Sequence, residues 1–357
     1  MDVVTVGFII SGLFVGLAVG FVLQRGRFCM NSAFRDTIFI KDFTYFRAYI
    51  IALVVMIVGA NFIQDMGVLR LPRQPFWFLA QVVGGYCFGL GMVLAGGCGS
   101  GILYRVGEGL LAAWVAVIGF FLGIATTSYG VLSPLFRWLR SYQWNIRGKF
   151  APGLEDLVGG GVTTKWVIIA ILVVLAAAFV MKGKPFAFGK QKGMFWSVTG
   201  LAIGLLGIFA FYASNKWGGF PRGLSFTTPL RDAFYAILNG NSLAPPPFKM
   251  HKLGPWLITW PAIYVIGVPL GSYLSARVLK EFTWKVPPAT ELLTVFFGSL
   301  LMGFGATVGG GCNVGQALTG FSTLSVGSIV GSIFIILGNW TMVYFKFIKP
   351  MGDLDLD

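Results

Sequence analysis

The stretch "GGGCNVGQ", residues 309–316, decides how this chain is read. It closes an apolar run long enough to be a membrane helix, and "GGCGSG" at 96–101 closes another such run. Glycines at the end of such a run permit a sharp turn and a close approach by a ligand. One cysteine follows the glycines in each stretch, Cys98 and Cys312. Working outward, "GLGMVLAGGC" (89–98) and "GFGATVGGGC" (303–312) agree at five of ten positions at a constant offset of 214, which also carries Gly101 onto Gly315.

The rest of the composition puts these breaks in a membrane. The chain has 357 residues, of which 56% are hydrophobic and 11% charged, and its mean hydropathy is +0.79. A soluble domain carries roughly 25% charged residues. The reading is an all-α integral membrane protein, one membrane domain over 1–357, with about nine transmembrane helices plus re-entrant loops. The expected spans are 3–23, 43–64, 75–95, 108–130, 165–182, 193–213, 255–276, 289–308 and 322–345. With Asp2 in place of a basic leader, the first run reads as a span and not as a cleaved signal. Glycines in small-xxx-small spacing, Gly12/Gly16/Gly20, Gly85/Gly89, Gly267/Gly271 and Gly327/Gly331, suit close helix packing in lipid. Between spans, 137–161 reads as an amphipathic surface helix followed by a loop, and 239–255 as a proline-rich external loop.

Two weaker correspondences extend the repeat. "CMNSAFRD" (29–36) falls on "SFTTPLRD" (225–232), placing Cys29 on Ser225 and Arg35-Asp36 on Arg231-Asp232, and "GLFVGL" (12–17) falls on "GLAIGL" (200–205). Four spans, a connecting span and four more make the second half enter from the opposite face. The chain therefore reads as two inverted-topology pseudo-repeats: 1–160, a connecting segment 161–190 with one transmembrane helix, and 191–357. The face reached after the first span collects about 15 of the 27 Lys and Arg, including Lys182, Lys184, Lys190 and Lys192 in one short loop. The positive-inside rule then puts the N-terminus outside and the C-terminus in the cytoplasm.

Backbone that leaves a helix inside the bilayer must be buried in protein or line a wet cavity. The two Gly-Gly-Cys breaks are expected to enter from opposite faces and meet, with the Cys29 segment as a third wall and Ser225 opposite. Thiols are weak donors with soft, polarisable sulfur, so they suit a soft anion bearing terminal sulfur better than the hard oxygens of sulfate. Gly97, Gly99 and Gly311 would let the backbone approach, and Asn31, Asn313 and Gln316 would donate to oxygens or satisfy the broken backbone. Arg25, Arg27 and Arg35 beside Cys29, and Arg222 and Arg231 in the second half, would draw anions to the mouths or, for Arg25 and Arg27, anchor the first helix. Arg35-Asp36 and Arg231-Asp232 read as structural ion pairs, and Cys87 as a small buried apolar residue. One histidine and no C-x-x-C pair argue against a metal site or a disulfide framework, and nothing calls for a cofactor or for nucleic acid despite the +14 charge.

Together, "QRGRFCMNSAFRD" (24–36), "GGCGSG" and "GGGCNVGQ" resemble the YeeE/YedE family of membrane proteins, and the span pattern extends the likeness over nearly the whole chain. The resemblance implies uptake of a sulfur compound, thiosulfate above all, through a bacterial inner membrane. It also implies that Cys29, Cys98 and Cys312 line the substrate path, and that a small cytoplasmic sulfur carrier resembling TusA is a partner on a separate chain. The rival readings are a membrane sulfurtransferase or thiol redox protein forming a cysteine persulfide, a transporter of another sulfur or selenium oxyanion, and a soft-metal transporter. No G-x-x-x-x-G-K-[ST] occurs, so ATP hydrolysis by this chain is not expected.

Overall fold

The computed structural model describes residues 3–187, 193–242 and 248–354. Lys190 and Lys192, the prolines at 245–247 and the last three residues of the acidic tail lie outside the described residues.

The first half runs α1 Val3–Arg25, α2 Met30–Phe39, α3 Thr44–Asp65, α4 Phe78–Leu94, α5 Gly99–Gly107 and α6 Leu111–Ser128. The surface helices α7 Ser133–Ser141 and α8 Leu154–Val158 follow, then α9 Val162–Met181. The second half runs α10 Trp196–Gly218, α11 Thr227–Asn239, a hairpin of β1 Met250–Leu253 and β2 Trp256–Thr259, α12 Trp260–Val278 and α13 Ala289–Gly309. A π-helical turn at Val314–Gly320 leads to α14 Val326–Val343, and the chain closes through a second π turn at Tyr344–Ile348 into α15 Lys349–Leu354. Helix is the expected answer in lipid, because it satisfies every backbone group within the segment.

Eight helical runs among the described residues are long and apolar enough to cross a membrane. The expected ninth is α12, whose 19 residues include Pro269 in the interior. That span was expected to begin at 255, but residues 256–259 belong to β2. The expected external loop thus ends in a hairpin, whose His251 meets Thr5 and Phe8 of α1. Hairpin residues without strict apolar alternation give no strand signal.

Glycine lines set how the helices pair. Gly12, Gly16 and Gly20 meet Ile263, Tyr264 and Val268 in turn, so α1 and α12 run in the same direction. A methyl group built on Gly20 would lie 2.0 Å from the Val268 carbonyl oxygen. Likewise Gly200, Gly204 and Gly207 of α10 meet Ala48, Ala52 and Met56 of α3. Gly85 and Gly89 of α4 meet Gly331 and Ile335 of α14, and Gly119 and Gly123 of α6 meet Ser299 and Gly303 of α13. By contrast α4 runs antiparallel to α13, with Gly84 at Gly309 and Gly91 at Gly298, and α1 antiparallel to α10, with Gly7 at Trp217 and Gly26 at Thr199. Contacts this close let dispersion and backbone packing act where lipid offers no hydrophobic drive. By contrast α9 turns Val167, Ile171, Val174 and Leu175 outward and is tied to α3 by Lys165, whose Nζ lies 2.6 Å from Asp65 Oδ1.

The two ends of the bundle are distinct. One gathers residues 25–28, 108–110 and 279–288, joined by Arg27 to Glu281 and by Thr283 N–H to the Glu108 carbonyl. The other gathers 72–77, 142–154 and 322–326, joined by Trp144 N–H to Phe76 and Leu154 N–H to Leu324. They are called here the Arg27 face and the Arg73 face.

Candidate functional site

Between those faces the broken helices bring their cysteines together. Cys29 stands in extended backbone just ahead of α2, and Cys98 holds the same place ahead of α5. Cys312 lies between α13 and its π turn, its N–H donating to Thr227 Oγ1 at 2.9 Å. All three have no exposed surface. Cys29 Sγ is 3.5 Å from Cys98 Sγ, and Cys98 Sγ is 3.2 Å from Ser100 Oγ. Cys312 faces the start of α5, since a methyl on Gly99 would lie 3.8 Å from its sulfur. Cys87 is half-buried on α4.

The repeat seen in the sequence is also a repeat of contacts. A methyl on Gly101 would lie 2.6 Å from Cys29 Sγ and 3.6 Å from Cys98 Sγ. On the matched Gly315 it would lie 3.1 Å from Ser225 Oγ and 3.9 Å from Cys312 Sγ. Ser225 therefore stands to Cys312 much as Cys29 stands to Cys98. The turns themselves are made by Gly96 (φ +70°) and Gly310 (φ +92°), in the left-handed region that favours glycine. Gly97 and Gly311, the next residues, do not need that freedom. Gly97 instead leaves room for Arg105, whose Nη1 would be 3.3 Å from a methyl there.

The amides divide their work. Gln316 Nε2 donates to the Gly309 carbonyl at 2.5 Å, satisfying the broken end of α13. Asn31 accepts from Asn339 Nδ2 at 2.8 Å. Asn313 Oδ1 accepts from Val314 N–H, while its fully buried Nδ2 meets no oxygen or nitrogen acceptor and lies toward the Cys98 thiol. A buried donor left open costs about 1–3 kcal/mol, which a guest's oxygen would relieve.

Two adjoining cavities of about 410 and 320 Å³ lie toward the Arg73 face. They share Arg73, Gln74, Thr228, Arg231 and Gly310, and the second reaches Ser225 and Gly315. Arg222 lines it with no carboxylate partner among the described ion pairs. Its guanidinium lies 5.4 Å from the Phe248 ring, and burial pushes its pKa below the usual range while Asp232 pulls it back up. Arg231 is paired with Asp232 at 2.8 Å and Arg35 with Asp36 at 2.7 Å, as expected of structural ion pairs. Arg25 ends α1, and its carbonyl accepts from Met194 N–H.

Arg27 is tied down on its own face. It bonds Glu108 at 2.7 Å and Glu281 at 3.1 Å, and Gln24 Nε2 reaches both acids. Burial lifts the Glu108 carboxyl above its usual range, with Glu281 adding to the rise and Arg27, Gln24 and Arg105 opposing it. A raised carboxyl holds its proton more readily folded than unfolded, so stability rises as pH falls through the raised range toward the ordinary value of about 4.3. The melting temperature of the wild type relative to Glu108→Gln is therefore expected to climb over that window. A pH-independent difference would remove this account of the cluster.

Several site residues had no sequence signal. Arg73 pairs with Glu155 at 2.5 Å, and Arg140 donates to the Thr307 and Val308 carbonyls from between Trp77 and Phe136. Their partners lie roughly 80 and 170 residues away, outside any local motif. Among the described residues no group of three or more His, Cys, Asp or Glu gathers to hold a metal.

The sequence profile of the sulphur transport family matches residues 25–341, a stretch that holds every cysteine and both glycine breaks. The chain belongs to the sulphur transport family. The resemblance to YeeE/YedE proteins drawn from the three motifs is borne out by that match. Two relatives extend the likeness along almost the whole length. The chain is 34% identical over 353 residues to the thiosulfate transporter TsuA of Spirochaeta thermophila, covering 94% of this chain and 98% of that one. It is 32% identical over 360 residues to the thiosulfate transporter TsuA of Escherichia coli, covering 96% of each. A shorter likeness, 35% over 115 residues, links it to the probable transporter YedE of Escherichia coli, covering 32% of this chain and 28% of that protein.

Proposed function

We propose that this protein carries thiosulfate through a bacterial inner membrane, from an outer Arg73 face to a cytoplasmic Arg27 face. The anion enters past Arg222 and Arg231, meets Cys312 and Ser225, and passes to Cys98 and Cys29. The observation that carries this reading is the 3.5 Å contact of two fully buried thiols, with a third across Gly99. Thiol contacts to a terminal sulfur are individually weak, so the guest is held and then released. Asn313 Nδ2, buried beside Cys98 and bonded to no oxygen or nitrogen acceptor, supplies one N–H to the oxygen end. Residues 1–160 and 191–357 act as the two halves around this axis, with 161–190 joining them. Lipid surrounds the outward apolar side chains, and a separate small TusA-like sulfur carrier is the partner on the cytoplasmic side. The chain then acts as a transporter and catalyses no bond change.

One observation favours a second reading. Thiols in contact suit persulfide chemistry as well as hand-off, which would make the protein a sulfurtransferase. Reconstitution into vesicles with thiosulfate labelled on its outer sulfur separates the two. Transport predicts the intact, doubly charged ion inside and unmodified cysteines by mass spectrometry. An obligatory persulfide on Cys29, Cys98 or Cys312 would replace transport by transfer, and selective uptake of a selenium or other sulfur oxyanion would replace the substrate.

A further inference from the structure

We propose that Arg105 contacts the anion on the far side of the thiol pair, holding its oxygen end while the soft sulfur rests on Cys98 and Cys29. This rests on the transport reading above. Arg105 lies four residues after Gly101 on α5, so the two share a helix face. Gly101 is the residue packed against both sulfurs, which places Arg105 one turn farther toward the Arg27 face. Its guanidinium folds back over the glycine break and donates to the Gly96 carbonyl, beside Gly97.

The charge there has no carboxylate of its own. Arg27, Arg35, Arg73 and Arg231 each pair with an acid, but no ion pair among the described residues includes Arg105. Glu108, three residues on, feels its charge but bonds Arg27 and Gln24 instead. Arg105 and Arg222 thus bracket the cysteines as two guanidiniums that bond no carboxylate among the described ion pairs, one beyond Cys98 and Cys29, the other beside Ser225 on the approach to Cys312. A guanidinium offers five donors in a planar fork; one goes to the Gly96 carbonyl, and the Tyr104 side chain lies beside the group with its ring centroid 5.8 Å away. The remaining donors suit a sulfonate-like triad of oxygens. A dianion leaving weak thiol contacts needs such an attraction ahead of it, and Gly97 is the residue whose missing side chain makes room.

The test is uptake of labelled thiosulfate by vesicles holding wild type, Arg105→Lys or Arg105→Gln. Glutamine keeps a donor for Gly96 and drops the charge. Losing a charge-assisted contact is expected to raise the KM about tenfold to a hundredfold in Arg105→Gln, whereas Arg105→Lys stays within several-fold of wild type. A wild-type KM in Arg105→Gln overturns the assignment while leaving transport intact. So does an equal loss in both variants accompanied by a lowered melting temperature, which marks a tie to Gly96 and nothing more. A wild type that moves no thiosulfate overturns the transport reading and this assignment with it.

Discussion

Cys98→Ala is expected to lower thiosulfate uptake on the order of a hundredfold, because a hydrogen bond to a charged group contributes about 1.5–3 kcal/mol and this thiol stands at two hand-offs. Its sulfur touches Cys29 at 3.5 Å, and across Gly99 it faces Cys312. Removing it interrupts the row in the middle. Cys29 and Cys312 stand at the ends, so either alanine variant there breaks a single hand-off and loses about tenfold on the same arithmetic. Cys98→Ser should fall between wild type and alanine, since a hydroxyl donates but presents a harder, shorter partner. The measurement is initial uptake rate at equal amounts of folded protein in the membrane. Unchanged uptake in all three alanine variants would leave the thiols without a part in transport.

Gly101→Ala tests the same row without touching a sulfur. The new methyl would sit 2.6 Å from Cys29 Sγ, well inside the roughly 3.5–4.0 Å at which nonbonded heavy atoms rest. Either the thiol swings away or α5 moves, and both part Cys29 from Cys98. A misplacement of about 1 Å at a reacting centre costs on the order of a hundredfold, and a loss of at least tenfold is expected here. Gly315→Ala is the internal comparison. Its methyl meets Ser225 Oγ at 3.1 Å, and a hydroxyl that rotates about one bond can yield. The order of loss, Gly101→Ala well above Gly315→Ala, is the result to look for. The reverse order would show that the thiol pair is not the tight point of the path.

Much of this was legible from the residues because glycine and cysteine are rare in combination and their spacing repeats. The offset of 214 that joins Cys98 to Cys312 also joins Gly96 to Gly310, the two left-handed turns, and Gly101 to Gly315, the two glycines against the neighbouring side chains. The small-residue lines predicted close packing, and Gly12, Gly16 and Gly20 do meet a neighbouring helix. What composition could not convey was which helix lay opposite, because α1 finds α12 across more than 200 residues. The same limit hid the arginines. Arg27 reads in the sequence as a mouth cation or an anchor of the first helix, and its acids, Glu108 and Glu281, come from two distant segments; Arg105 belongs to none of the quoted motifs and gains its place only where the break folds under it. The hairpin at 250–259 was invisible for a different reason, since its residues carry no strand periodicity.

The glycine-lined contact between α1 and α12 has a consequence for how the protein is made. Residues 12–20 leave the ribosome about 250 positions before the stretch that must cover them. At about 5–20 residues per second, the first helix waits roughly 12 to 50 s in the bilayer without its final neighbour. Lipid, the insertion machinery or an earlier helix has to shelter that groove in the interval. Biogenesis of this protein is thus a problem of delayed partnership, in which a segment is inserted long before the neighbour that fixes its place is made.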